Sequence, residues 1–174
     1  MTRARQTTYR VLGAAIVTAA LAGSALAEGS WVRGGSFENN EPVAFGRYLA
    51  EATDAQMTVR CADSELSIDA GVAGAGALPE GLAEGDTTSV GFVLIGTDGA
   101  ELGSTDAEGP LRIRPDGAVV VTLAGEAAAP LAALLLEPAE SLAVTIGAET
   151  RPVVMTGAAA IFAGIAASCD AWPK

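Results

Sequence analysis

The 174-residue chain contains no histidine, and its only lysine is the terminal residue, Lys174. Hydrolases of the Ser-His-Asp and Cys-His types need an imidazole to relay a proton, so the sequence excludes both mechanisms. Catalytic zinc is usually held by histidine, while penicillin-binding enzymes and Walker-loop nucleotide-binding proteins depend on an internal lysine. The sequence therefore lacks the residues on which these classes of enzyme depend.

Positive charge is scarce as well. Lysine and arginine total 10 residues against 21 aspartate and glutamate residues, which gives a formal net charge of −11. A chain with this balance repels phosphate groups and anionic lipid surfaces, so we expect no nucleic-acid partner and no membrane binding. No calcium-loop pattern of the form Asp-x-Asp-x-Asp-Gly is present, and we expect neither a metal nor a cofactor.

Residues 1–27 have the pattern of an export signal. Three arginines precede an apolar stretch that begins at Val11, and Ala25-Leu26-Ala27 forms a small-x-small cleavage site. The alternative is an uncleaved membrane anchor, for which the apolar stretch is short. We expect cleavage after Ala27, a periplasmic location, and no membrane insertion of the mature chain.

Two cysteines, Cys61 and Cys169, make up the whole cysteine content. Export places them in an oxidising compartment, where an even number of cysteines indicates a disulfide. Alternation along the predicted strand puts Met57 and Cys61 on one face, and a spacing of four puts Ile165 and Cys169 on one helix face. We predict a Cys61–Cys169 disulfide, and the alternative is two separately buried thiols.

Apolar periodicity predicts more strands than helices. The predicted strands are Met57–Cys61, Glu65–Asp69, Ser89–Ile95, Leu111–Arg114, Ala118–Leu123, Leu142–Ile146 and Val153–Thr156. A weak strand is expected near Leu102, residues 43–51 fit either a strand or a helical turn, and composition predicts loops at 34–40 and 70–87. A short helix should begin near Pro130, and an alanine-rich helix should cover 158–168.

Short turns join most of these strands, so the sheet should be mainly antiparallel. We therefore expect an α+β fold, with a short helix and a C-terminal helix packed on one face of the sheet. The expected organisation is a signal peptide at 1–27, an N-terminal strand and loop segment at 28–56, and an α+β domain at 57–174 closed by the disulfide.

The order of these elements is familiar. Val59-Arg60-Cys61-Ala62-Asp63 is joined by a hairpin to Glu65-Leu66-Ser67-Ile68, and later come Leu142-Ala143-Val144, Thr156-Gly157, an alanine-rich helix and Cys169. Over about residues 57–170 this layout resembles small exported periplasmic proteins of GC-rich Gram-negative bacteria. It is similar to type VI secretion-associated periplasmic proteins and, more distantly, to invasion-associated locus B proteins. The resemblance implies an exported protein and carries over no catalytic residue. The tryptophan and polar residues that often mark the middle strands of the secretion-associated group are missing here.

Arg60, Arg112 and Arg114 are the first candidate site. Alternation along their strands points all three away from the core, so they are expected on one exposed sheet face. One interpretation is a site for an anion or an acidic partner. The other is cross-strand pairing with some of the acidic residues, which is common on sheet surfaces.

Glu80, Glu84 and Asp86 lie in the predicted loop 70–87 and form the second candidate site. Long loops on a rigid sheet often carry recognition, so this loop is expected to contact a partner. The alternative is an acidic, solvated surface without a binding role.

These patterns favour a protein that acts by binding. We expect an exported accessory module, without enzymatic activity, for another protein of the cell envelope. The first alternative is a binder of small molecules or peptides, with an apolar pocket between sheet and helices. A more remote alternative is a hydrolase that uses carboxylates alone, although aromatic residues, which line most sugar-binding clefts, make up only 5% of the chain.

Overall fold

A computed structural model of the chain describes residues 29–38, 41–50, 55–62, 65–73 and 81–173. The strands, in chain order, are β1 Gly29–Glu38, β2 Glu41–Ala50, β3 Ala55–Ala62, β4 Glu65–Val72, β5 Thr87–Ile95, β6 Glu101–Ile113, β7 Val119–Ala124, β8 Ser141–Ile146 and β9 Glu149–Val154. The two α-helices are α1 Ala129–Leu134 and α2 Ala158–Ala166, and a 3₁₀ turn covers Gly125–Ala127. The predicted combination of a mainly antiparallel sheet with few helices is confirmed.

All nine strands belong to one open sheet with the order β1-β2-β3-β4-β7-β6-β5-β8-β9. Every neighbouring pair in this order is antiparallel. The first four strands follow one another as hairpins, whereas β7 returns to pair with β4 and β8 returns to pair with β5. The edge strands β1 and β9 come together at one point, where the Trp31 indole Nε1 donates to the Val154 carbonyl at 2.7 Å.

The long strand β6 joins two layers of this sheet. Its first part, Glu101–Pro110, pairs with β5, and its last three residues pair with β7. β6 crosses from one layer to the other at the point where its partner changes from β5 to β7. Beyond this crossing the sheet folds over, so that β8 lies across from β4 and β9 lies across from β3. Gly109 sits at the crossing, where an added Cβ would lie 2.2 Å from the carbonyl oxygen of Thr122. A residue with a side chain would force the two strands apart at this point.

The core fills the space between the two layers. Alternate residues of β3, β4, β7 and β8 supply its centre, as their predicted periodicity requires, and Val59, Ile68, Val121 and Val144 are all 0% exposed. Among the described residues, no polar or charged side chain is buried in this core. Among the described side chains, the non-covalent stabilisation of the core therefore comes mainly from apolar burial.

The disulfide between Cys61 and Cys169 fastens the C-terminal region to β3 and confirms the predicted pairing. Helix α2 reaches β2 closely because Gly46 has no side chain. A Cβ there would lie 3.1 Å from Ile165 Cδ1 and 3.2 Å from Ile161 Cγ2. Trp172 is buried beyond Cys169 and stacks on Phe162, with ring centroids 6.4 Å apart. This tryptophan closes one end of the core.

Three expectations from composition are wrong. Residues 34–38 belong to β1 rather than to a loop, because each pairs with a residue of β2 in a regular ladder. Residues 70–72 extend β4, since Ala70 and Val72 continue its buried face and pair with Val121 and Val119. The weak strand near Leu102 and the strand at 111–113 are one 13-residue strand, β6.

The region expected to be a strand or a helical turn is β2, which pairs with β3 and so belongs to the same sheet as the rest of the chain. The predicted signal peptide, residues 1–27, lies outside the described residues. Within the part of the chain that the structure describes, no helix is long and apolar enough to cross a membrane.

Candidate functional site: an arginine-lined groove

The outer face of the sheet, opposite the core, carries polar side chains in cross-strand rows. Arg47, Thr58, Asp69 and Thr122 stand side by side on β2, β3, β4 and β7, because these residues are successive register partners. Arg60 lies one row away on β3. The rows exist because the alternation that buries one set of residues turns the next set outward.

Side chains of these rows and of the β6–β7 turn, together with the core residues Tyr48, Ala55 and Met57, line a groove of about 800 Å³. Its charged lining residues are four arginines and four acids: Arg47, Arg60, Arg112, Arg114, Glu38, Asp69, Glu84 and Asp116. The described residues contain six arginines in all but 16 acidic residues. The groove thus collects most of the positive charge and only a quarter of the negative charge. It is locally neutral on a strongly acidic molecule.

A three-residue network connects β4, β6 and β7 on the floor of the groove. Asp69 Oδ1 accepts a hydrogen bond from Arg112 Nη2 at 3.0 Å and another from Thr122 Oγ1 at 2.7 Å. Arg112 Nη2 also donates to Thr122 Oγ1 at 2.9 Å. The network fixes the direction of the Arg112 side chain, which is nevertheless 57% exposed.

Arg60 forms an ion pair with Glu38 of β1. Its Nε atom is buried and has no hydrogen-bond partner among the described residues. An unsatisfied donor of this kind costs about 1–3 kcal/mol, so the Arg60 guanidinium is held at a cost to stability. Such a cost is tolerated more readily where the side chain has a further role.

Arg114 lies at the turn between β6 and β7. It donates to Gln56 Oε1, and its Nη2 lies 3.4 Å from Asp116 Oδ2. The backbone N–H of Ala118, which donates to Asp116 Oδ1 at 3.1 Å, lowers the pKa of the Asp116 carboxyl group, and the charge of Arg114 acts in the same direction. The turn is the predicted one, and Gly117 has a φ of 80° within it.

Two charged residues line the groove without an ion pair. Arg47 and Glu84 make no ion pair with any residue that the structure describes, and both are exposed. Arg47 therefore offers its donors to solvent or to a ligand. A guanidinium has five N–H donors, so Arg112 and Arg60 also retain unused ones.

Apolar side chains line the groove between the arginines. Leu49 is 46% exposed and Ile113 is 37% exposed, and they are two of the five large apolar side chains that the described surface exposes. Val120 lies between them on β7 and is almost covered. The groove therefore combines guanidinium groups with apolar surface.

The structure brings the predicted arginines together. Arg60, Arg112 and Arg114 line one groove, and each also has an acidic neighbour within ion-pair distance. Both interpretations of these residues, a site for an acidic group and cross-strand pairing, thus have a geometric basis. The pairs are exposed, and pairs of this kind contribute only about 0–1 kcal/mol each to stability.

The structure does not bring the acidic residues of the second predicted site together. Glu84 lines the groove, whereas Asp86 holds the local chain: its Oδ2 accepts the Ala83 N–H at 2.7 Å, and its backbone carbonyl accepts the Leu111 N–H at 2.8 Å. Asp86 is therefore an anchor for the segment before β5. Glu80 lies outside the described residues.

Sequence reasoning missed Arg47, Glu38 and Asp69. Composition predicts a loop at Glu38, and Arg47 lies in the region 43–51, whose pattern fits either a strand or a helical turn. Asp69 is one of the residues that alternation along β4 points away from the core, and this signal could have identified it as a site residue. Its pairing with Arg112 depends on the contact of β4 with β7, which no local pattern predicts.

Among the described residues, no group of three or more potential ligands is arranged to hold a metal ion. Comparisons with protein-family models, with curated proteins and with solved structures gave no match. The similarity in layout to the secretion-associated and locus B proteins stays a prediction. The candidate site rests on the groove itself.

Proposed function

We propose that this chain is an exported, non-enzymatic binding module that engages another cell-envelope protein through the arginine-lined groove. One observation carries the proposal. Four of the six described arginines meet in this groove, while 12 of the 16 described acidic residues lie elsewhere. An acidic partner would therefore find its best electrostatic match at this face.

The arrangement of the two faces supports this role. Leu131 of α1 and Phe162 of α2 belong to the same apolar core, on the side of the sheet opposite the groove. This supports the expectation that both helices pack on one face. The other face is then available for a partner, because the apolar core that stabilises the fold lies on the side of the helices.

A periplasmic location forms part of the proposal. The export pattern at 1–27 motivates it, and the Cys61–Cys169 disulfide is compatible with an oxidising compartment. The proposed resemblance to exported periplasmic proteins points to the same compartment.

The carboxylates of the groove favour binding over hydrolysis. A glycosidase needs one carboxyl group kept protonated in an apolar site beside a second, ionised one. Glu38, Asp69 and Asp116 instead lie at exposed positions, each beside an arginine. An exposed position beside a guanidinium lacks the apolar surroundings that the acid of a glycosidase requires.

A second candidate is a binder of small molecules. The groove volume of about 800 Å³ favours it, since ligand sites usually measure about 300–1,000 Å³. A ligand of this kind would raise the melting temperature of the purified protein in proportion to the logarithm of its concentration. A partner protein would be captured from the envelope instead.

Cross-linked capture from the envelope of the host, read by mass spectrometry, tests the leading proposal. Arg112→Gln and Arg151→Gln form a matched pair, because each removes one positive charge and one ion pair at the surface, and only Arg112 lies in the groove. We expect Arg112→Gln to reduce capture of the dominant partner about tenfold, since a charge-assisted hydrogen bond contributes about 1.5–3 kcal/mol. Arg151→Gln should leave capture unchanged. Equal capture by both variants would contradict the proposal.

A further inference from the structure

The arginines of the groove are spread across the sheet instead of converging on one point. Arg47 stands on β2, Arg60 on β3 and Arg112 on β6, and β4 and β7 lie between β3 and β6. Neighbouring strands lie about 4.8 Å apart, and residues advance about 3.3 Å along a strand. Arg60 lies three strands and four register positions from Arg112, so the two residues start about 20 Å from each other. A compact anion such as phosphate cannot reach both. An elongated ligand with several separated acidic groups can.

Part of the surface beside the arginines is apolar. Val120 of β7 lies in the register position next to Arg112, and Leu49 and Ile113 expose apolar surface along the groove. A ligand that fits this surface carries apolar groups between its acidic groups. Sulfated sugars and nucleic acids do not offer that alternation, whereas a peptide does.

Charges outside the groove limit how acidic the ligand can be. Beyond the groove, the described surface has two arginines and 12 acidic residues. A long polyanion would extend over this surface and be repelled. A short segment with a few carboxylates stays within the groove, where charges more than about 8 Å away are screened at physiological salt.

The ion pairs inside the groove do not block a ligand. The side chains of Arg60, Arg112 and Arg114 are 40%, 57% and 53% exposed, so solvent already competes for them. A ligand carboxylate can take an unused guanidinium donor or replace an internal partner. Arg47 has no internal ion pair to give up among the described residues.

We propose that the groove binds an extended peptide segment of a partner protein, in which a few Asp or Glu residues alternate with apolar residues across strands β2 to β6. This inference rests on the proposed binding function and specifies its ligand. An extended chain advances about 3.3 Å per residue, so carboxylates six residues apart are separated by about 20 Å. That spacing matches the distance between Arg60 and Arg112 and leaves two apolar residues on the same side of the peptide between the carboxylates.

Calorimetric titration of the exported protein, purified from its host, tests the ligand class. The probe is the peptide Glu-Ser-Leu-Ser-Leu-Ser-Glu, and its control has glutamine in place of every glutamate. We expect the acidic peptide to bind at least tenfold more tightly than the control. Arg47→Gln should weaken binding of the acidic peptide several-fold without loss of an ion pair to any described residue. Arg112→Gln should weaken it about tenfold, and Arg151→Gln should stay within twofold.

Three results would overturn the inference. Equal binding of both peptides would show that apolar contact alone drives docking. Tighter binding of a sulfated hexasaccharide than of the acidic peptide would assign the groove to polyanionic sugars. If the acidic peptide does not bind while envelope capture still depends on Arg112, the ligand is not a peptide of this class, and the proposed binding function remains supported. If capture is also independent of Arg112, both proposals fail. A thermal melt of each variant establishes that a lost interaction is not lost folding.

Discussion

The two faces of the sheet differ although the same strands make them. Val59, Ile68 and Val121 are 0% exposed. The next residues along the first two strands, Arg60 and Asp69, line the groove, and the next residue after Val121, Thr122, donates a hydrogen bond to Asp69. One face excludes every charge from the described core, whereas the other gathers most of the arginines. If the proposed function is correct, this difference means that folding and recognition depend on alternate residues of the same strands. Changes on one face should therefore leave the property of the other largely intact.

The largest expected contrast is between neighbours on β4. Ile68→Ala should lower the free energy of unfolding by about 2–5 kcal/mol, because it removes buried methyl groups and leaves a cavity. Asp69→Ala, its outer-face control, should cost less than about 1 kcal/mol, since the pair that it breaks is exposed. Urea unfolding of both variants measures the contrast, and equal losses would contradict the division of roles.

Removing the disulfide should have the next largest effect. The Cys61–Cys169 bond closes a loop of 108 residues, and its loss through Cys61→Ala with Cys169→Ala should cost about 2–4 kcal/mol. The bond joins β3 to the C-terminal region and does not line the groove. Below its melting temperature, the double variant should bind the acidic peptide with unchanged affinity. A loss of binding by a folded double variant would show that the two faces are coupled.

Gly109, where β6 crosses between the two layers, allows a test of how the sheet folds over. Gly109→Ala should destabilise the protein by about 1–3 kcal/mol, since overpacking against a backbone carbonyl forces the strands to shift. Gly35→Ala is the matched control, because its added Cβ would meet only an atom at an ordinary 3.6 Å. Thermal unfolding of the two variants should show a clear loss for the first and almost none for the second. A loss in both would point to a general cost of replacing strand glycines.

The smallest effect concerns pH. The lowered pKa of Asp116, due first to the Ala118 N–H and then to Arg114, means that its carboxylate stabilises the fold above the unfolded pKa, near 3.8. That contribution is lost as the pH falls through the lower folded pKa. Asp116→Asn should therefore melt slightly below the unaltered protein at neutral pH and together with it in acid. A gap that widens in acid would contradict this linkage.

Local pattern predicted the strands with one buried face. β3 and β8 alternate strictly, β4 alternates as far as Ala70, and the hairpin between β6 and β7 has a Pro-Asp-Gly turn whose geometry follows from its residues. These features depend on neighbours in sequence, and so local pattern is sufficient for them. The disulfide was predicted from the export pattern and the even cysteine count, together with the core-facing positions of both cysteines.

Strands without a fully buried face were not predicted well. β6 is exposed along much of its first part, so its alternation has no apolar signal, and only its pairing with β5 makes it continuous. The end of β1, rich in glycine and polar residues, is likewise a strand because β2 pairs with it. In both cases long-range hydrogen bonding outweighs a weak local preference.

The candidate site could be predicted only in part, for the same reason. The outward parity of Arg60, Arg112 and Arg114 follows from alternation. Their meeting with Arg47 and Asp69 follows from strand order and register, above all from the insertion of β7 between β4 and β6. Register is a property of the whole sheet, so the groove became visible only with the fold.

Site-specific photo-cross-linking in the host tests the central claim most directly. A photoreactive residue at Leu49 stands inside the groove, and one at Leu102, which has nearly the same exposure, 50% against 46%, stands outside it. We predict that Leu49 captures one envelope protein through an acidic segment and that Leu102 captures none. Capture from Leu102 with none from Leu49 would contradict the assignment of recognition to the arginine-lined groove.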